Sequence, residues 1–175
     1  MPDSRIELVK ADISTLDVDA IVNAANESLA PGGGVCGAIH RAAGPQLAKA
    51  CAELPLVRPG VRCPVGQARL TPGFDLPARF VIHAVGPIYR DGASNEPALL
   101  ASAYRESLIL ARRNELASIA FPAISTGIFA YPVGEACEIA LREVKTHLEA
   151  DTTLARVVLC CFDDATLAEY RRRQA

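Results

Sequence analysis

The alternation of polar and apolar residues from Arg5 to Lys10 predicts a half-buried opening strand, left through Ala11-Asp12-Ile13 into a Ser-Thr turn. A short apolar run, Ala20 to Val22, predicts a second strand that breaks into two asparagines, Asn23 and Asn26. From Val35 to about Glu53 the spacing of Ile39, Ala43, Leu47, Ala50 and Cys51 predicts helix, interrupted at Gly44-Pro45. Pro55 to Gly66 is rich in proline and glycine and reads as a connection with little regular structure. A brief strand over Gln67 to Leu70 and a β-branched one over Arg79 to Val85 follow, the latter stopping at Gly86-Pro87. Glu96 to Asn114 places Leu100, Tyr104, Leu108 and Ala111 on one helical face, with Arg105, Glu106, Arg112 and Arg113 between them. Ser118 to Ile124 reads as an apolar strand, Gly134 to Leu148 as helix, Val157 to Cys161 as the last strand and Thr166 to Arg173 as a closing helix.

Strands alternating with helices predict an α/β fold, a three-layer α/β/α domain around a mostly parallel sheet. In such sheets ligands bind beyond the carboxyl ends of the strands. The length of 175 residues and an apolar share of 50% suit one domain with a single core, spanning residues 1–175. A net charge of −2 gives no global pull on nucleic acid or acidic membranes, so a nucleotide has to be held by local geometry. The start of the chain has no long apolar segment and no run approaches a membrane span, so the expected compartment is the cytosol, with no membrane partner. Cys36, Cys51, Cys63, Cys137, Cys160 and Cys161 form no CxxC pair, and His40, His83 and His147 lie far from any paired-cysteine pattern, which argues against a zinc site.

The chemistry concentrates between Ile21 and His40. After the asparagines come Gly32, Gly33 and Gly34, then Val35, Cys36 and Gly37 opening a small-residue helix. Glycines let main-chain amides converge on an anion, and a helix start adds unpaired N–H groups and the positive end of its dipole. The asparagines, each with donor and acceptor, suit hydroxyl-rich groups such as ribose. The stretch reads as a site for a nucleotide diphosphate and its sugar; the alternative is a turn that merely packs a helix closely on a sheet. A second small-residue loop, Ser125-Thr126-Gly127-Ile128-Phe129-Ala130-Tyr131-Pro132, also leaves a strand end, where its amides could clamp a pyrophosphate from the other side or simply form a strand exit. Asp12 stands at the end of the first strand, where an isolated aspartate is a turn former or a helix cap. His83, among apolar strand neighbours, reads as a satisfied core histidine.

Taken together, Val22 to Asn26 (VNAAN), Gly32 to Gly37 (GGGVCG), the tail Ile39, His40, Ala43 and Gly44, and the loop Ser125 to Pro132 resemble the macrodomain family, and within it the MacroD-type branch. The resemblance implies a six-stranded mixed sheet between helices. It implies a hydrolase that acts on O-acetyl-ADP-ribose and on ADP-ribosylated acidic side chains of proteins, without a metal or redox cofactor. By the same resemblance Asp12, Ile13 and Phe162 meet adenine, Phe162 being otherwise a core residue, with Asp163 or Asp164 as alternative contacts. Gly32, Gly33, Gly34, Val35, Gly37, Ser125, Thr126, Gly127 and Ile128 hold the diphosphate. Asn23, Asn26, Cys36 and Phe129 reach the distal ribose, and His40 orients the asparagines or serves only as structure. Cys36 departs from the branch, which carries aspartate there. A thiol cannot match a carboxylate as an acceptor. Three outcomes stay open: weak hydrolysis assisted by the substrate's phosphate and an asparagine, a thiolate-assisted reaction, or binding without turnover.

Overall fold

A computed structural model describes residues 2–174. The elements are β1 (Ile6–Lys10), β2 (Ala20–Ala24), α1 (Gly34–Ala43), α2 (Pro45–Glu53), β3 (Ala68–Pro72), β4 (Phe80–Ala84), α3 (Glu96–Arg113), β5 (Ser118–Phe121), α4 (Val133–Ala150), β6 (Arg156–Cys161) and α5 (Asp164–Gln174), with one 3-10 turn at Ile13–Thr15. The strands form one sheet in the order β1-β6-β5-β2-β4-β3. Every neighbouring pair is parallel except β3 with β4.

Period-two alternation assigns each strand's side chains to two faces. Val22, Ile82, Ile119, Phe121, Val157 and Leu159 pack with residues of α3, α4 and α5 such as Leu100, Tyr104, Leu108, Val144 and Tyr170. Ile21, Val81, Ala120 and Val158 turn to the opposite core, with Ile39, Leu47 and Cys51 of α1 and α2. Both faces are covered, which is why β2, β4 and β6 are near-continuous apolar runs.

Element ends follow local chemistry. Gly44, at φ +85°, caps α1, and Pro45 opens α2 where a missing N–H costs nothing. The strand expected to run to Ile124 stops at Phe121, because Pro122 has no N–H to give the ladder. At the opposite end of the sheet Asp19 gathers three elements: its carboxylate accepts from the amides of Ala117 (2.8 Å) and Ser118 (3.2 Å), and its carbonyl accepts from Phe80 (3.0 Å).

Candidate functional site

All parallel strands leave the sheet at one rim, and the sequence-predicted residues stand along it. At the exit of β2, Asn23 is buried and places Nδ2 3.1 Å from His83 Nδ1 and 3.7 Å from Cys36 Sγ. Asn26 braces its own loop, donating to the Ala30 carbonyl (2.9 Å) and accepting from the Ser28 hydroxyl (2.7 Å). Each amide atom of Asn26 keeps one further hydrogen-bonding capacity. A β-carbon on Gly32 would lie 3.6 Å from Asn26 Nδ2 and 3.8 Å from Cys36 Sγ, so Asn23, Asn26, Gly32 and Cys36 form one cluster. The glycine turn folds tightly on α1: a β-carbon on Gly37 would sit 2.6 Å from the Gly32 carbonyl oxygen. Gly33 caps α1 without a side-chain bond, and Gly37 provides the first amide engaged there, to the Gly33 carbonyl at 3.2 Å. The amides of Gly34, Val35 and Cys36 have no partner among the described residues and stand at the positive end of the helix dipole.

The second loop is supported from below. The hydroxyl of fully buried Tyr104 donates to the Pro122 carbonyl and accepts from the Ile124 amide, both at 3.3 Å. Ser125 lies in the left-handed region, at φ +67°, and its buried hydroxyl has no partner among the described residues. Thr126 turns inward, its amide and hydroxyl both bonded to the Ala123 carbonyl. The turn closes through Ala130 to Gly127 and Tyr131 to Ser125, each 2.9 Å, leaving the amides of Gly127 and Ile128 without partners among the described residues. The Ile128 side chain stands in solvent, and Phe129 is half-buried.

Phe129 is tied to the next loop, since its carbonyl accepts from the Tyr89 amide (2.8 Å). That loop, residues 90–94, wraps the buried carboxylate of Glu96, which accepts from the amides of Arg90, Asp91, Gly92 and Ser94. These bonds hold the Glu96 carboxyl down at about 2. Sequence reading missed this residue, whose signal was an acid just after Asp91-Gly92. A Glu96→Gln variant melts at a lower temperature than the parent at pH 7. Because the folded-state pKa is depressed below the ordinary 4.5, the difference is full above that pH and fades as the pH falls toward 2, read by thermal melts across that range.

The third corner joins β1 and β6, where the Ala11 amide bonds the Cys161 carbonyl at 3.2 Å. Asp12 caps the 3-10 turn, one carboxylate oxygen accepting from the amide (2.9 Å) and hydroxyl (2.7 Å) of Ser14. Its second oxygen is unengaged among the described residues, as is the amide of Ile13, whose side chain is core. Phe162 is 84% exposed and so is not a core residue. Of the alternatives to it, Asp163 accepts from the Thr166 amide (2.8 Å) at the start of α5, and Asp164 pairs with Lys10 at the surface (3.1 Å).

His40 requires a correction. It forms no hydrogen bond to Asn23 or Asn26; the ring that holds Asn23 is His83, across the β2–β4 register. Both His40 nitrogens are buried and unpartnered, and burial pushes its pKa down, so the ring is neutral. His83 is the satisfied core histidine expected, pushed down to about 3 by its burial and the nearby His40. Among the described residues, the buried side-chain polar atoms without partners are Asn23 Oδ1, the His40 nitrogens and Ser125 Oγ. Folded proteins rarely leave such atoms unpaired, and here they belong to the end of β2, to α1 and to the second loop. No cluster of three or more His, Cys, Asp or Glu among the described residues is placed to hold a metal ion, and no helix is long and apolar enough to cross a membrane.

A family model described as Macro domain matches residues 22–140. The chain belongs to the macro domain family. An O-acetyl-ADP-ribose deacetylase of Klebsiella pneumoniae (strain 342) is 54% identical over 166 residues, covering 95% of this chain and 94% of that protein. A macro domain-containing protein of Xanthomonas axonopodis pv. citri is 54% identical over 171 residues, covering 98% and 96%. Among solved structures, an Oceanobacillus iheyensis macrodomain variant with ADPR superposes with a TM-score of 0.91 at 40% identity, covering 99% of this macro domain and 95% of that chain.

Proposed function

We propose that this macro domain binds ADP-ribose and hydrolyses ester-linked groups on its distal ribose, releasing acetate from O-acetyl-ADP-ribose and ADP-ribose from modified acidic side chains of proteins. The observation that carries the reading is the set of unpaired polar groups at one rim: the amides of Gly34 to Cys36 on one loop, those of Gly127 and Ile128 with the Ser125 hydroxyl on the other, and the Asn23 carbonyl between them. A diphosphate suits two amide-lined turns, and a ribose suits the adjacent carboxamides. Names and bound ligands of the relatives support it.

In this reading Gly32, Gly33, Gly34, Val35 and Gly37 shape one wall of the diphosphate site, and Ser125, Thr126, Gly127 and Ile128 the other. Adenine lies on exposed Phe162, its amino group toward the free oxygen of Asp12 and a ring nitrogen toward the Ile13 amide. Asn23, Asn26, Cys36 and Phe129 surround the distal ribose, and neutral His40 lines the same side. Water enters between Cys36 and the ester, and catalysis rests on holding both in attack geometry rather than on a strong base. The reading calls on no metal or redox group.

A second reading, binding without turnover, is favoured by one feature, the thiol at Cys36 where the branch has a carboxylate. Titration calorimetry with ADP-ribose, run beside acetate release from O-acetyl-ADP-ribose and ADP-ribose release from a modified acidic protein, separates the two. The expected result is heat of association together with turnover of at least one substrate. Heat without turnover of either leaves the binder, and no heat at all removes both.

A further inference from the structure

Beneath the rim lies a buried hydrogen-bonded chain that no expected role absorbs. Asn23 of β2 pairs in register with His83 of β4, and β3 lies on the other side of β4. His83 Nδ1 is 3.1 Å from Asn23 Nδ2, and its Nε2 is 2.9 Å from the Thr71 hydroxyl and 3.6 Å from Cys51 Sγ. The Thr71 hydroxyl is itself 3.1 Å from the Pro72 carbonyl, which can only accept. With the hydroxyl hydrogen donated to the Pro72 carbonyl, the threonine oxygen accepts from His83 Nε2–H. Nδ1 is then a lone pair, and it accepts from the Asn23 amide. One direction runs along the whole chain, from Asn23 through His83 and Thr71 to the Pro72 carbonyl.

We propose that His83, fixed as its Nε2–H tautomer by Thr71, is the positioning residue that sets the orientation of the Asn23 carboxamide. With Nδ2 held between His83 and Cys36, the buried carbonyl oxygen of Asn23 is the end left unpaired among the described residues; in this reading it is the acceptor offered to a ligand hydroxyl. A free carboxamide could present either end. The inference rests on the reading of this rim as an ADP-ribose site, and it assigns the selectivity for a donor at the ribose to a residue that the ligand never touches.

Two replacements separate positioning from mere filling of the core. His83→Asn keeps an acceptor where Nδ1 stood but removes ring volume; His83→Phe keeps the ring and removes the acceptor. A structural role ranks them by packing, so phenylalanine is the milder change. Positioning reverses the order for ADP-ribose affinity: His83→Phe weakens binding about tenfold, the worth of one buried hydrogen bond, whereas His83→Asn stays within about threefold of the parent. In an Asn23→Ala background the His83→Phe loss disappears. An equal loss in both backgrounds overturns the proposal. Nitrogen NMR of the parent gives a readout that needs no ligand: a proton on Nε2, and a coupling across the hydrogen bond between Asn23 Nδ2 and His83 Nδ1. A proton on Nδ1 overturns the proposal even if every variant folds poorly. A parent with this tautomer and coupling that binds no ADP-ribose instead removes the functional reading and leaves the positioning of Asn23 standing.

Discussion

Replacing Gly86 with alanine lowers ADP-ribose affinity about a hundredfold, the scale of loss that a displacement near 1 Å brings to a positioned site. The added β-carbon would fall 2.2 Å from Ser125 Oγ and 2.6 Å from Ile124 Cγ2, closer than any carbon contact allows. Ser125 cannot yield by a rotamer change alone, because Ile124 is struck as well. Its backbone is already in the left-handed region, and its carbonyl is tied to the Tyr131 amide. The loop therefore moves as a unit and carries the amides of Gly127 and Ile128 away from the opposite turn. Overpacking of this kind costs about 1–3 kcal/mol of stability, a fall of several degrees in melting temperature. Adding Ser125→Gly to the alanine variant removes one of the two clashes and restores part of both losses. Calorimetry and thermal melts read the two effects, and unchanged affinity in Gly86→Ala would mean that the second loop does not grip the ligand.

Exchanging Cys36 for aspartate raises kcat on O-acetyl-ADP-ribose about tenfold or more. Cys36 is the third residue of α1, where a negative group meets the positive end of the dipole, and its sulfur lies 3.7 Å from the Asn23 amide. A carboxylate there accepts from Asn23 and from water at once, and a placed base contributes typically 10²–10⁴-fold. The same charge repels a diphosphate across the loop, so KM rises while kcat rises more. Steady-state kinetics on both proteins test this. A clear loss of kcat in Cys36→Asp would give the thiol a direct part in the chemistry.

The order of strands and helices was legible because each has its own hydrophobic period, and Gly44-Pro45 marked the break between α1 and α2. The two loops were legible because small residues at strand ends leave amides free. What one dimension hides is lateral. His83 and Asn23 are 60 residues apart, and only the β2–β4 register brings them together; the motif itself offers only His40, as a group orienting the asparagines or as structure alone. Glu96 stands in the sequence only as the start of a predicted helix, since nothing in that helix reveals four amides arriving from the preceding loop. Phe162 was open between core and surface because β6 ends one residue before it, where alternation no longer fixes a face.

The position of β1 bears on synthesis. Its hydrogen-bonded neighbour is β6, paired from Ile6 with Val157 to Lys10 with Cys161, so the first strand of this sheet waits for the last. Closing so long a loop is slow, and the nascent chain carries an unmated strand until β6 has emerged. The corner formed by Asp12 and Phe162 is thus the last part of the rim to assemble, and a chain released early lacks it even with both glycine turns already made.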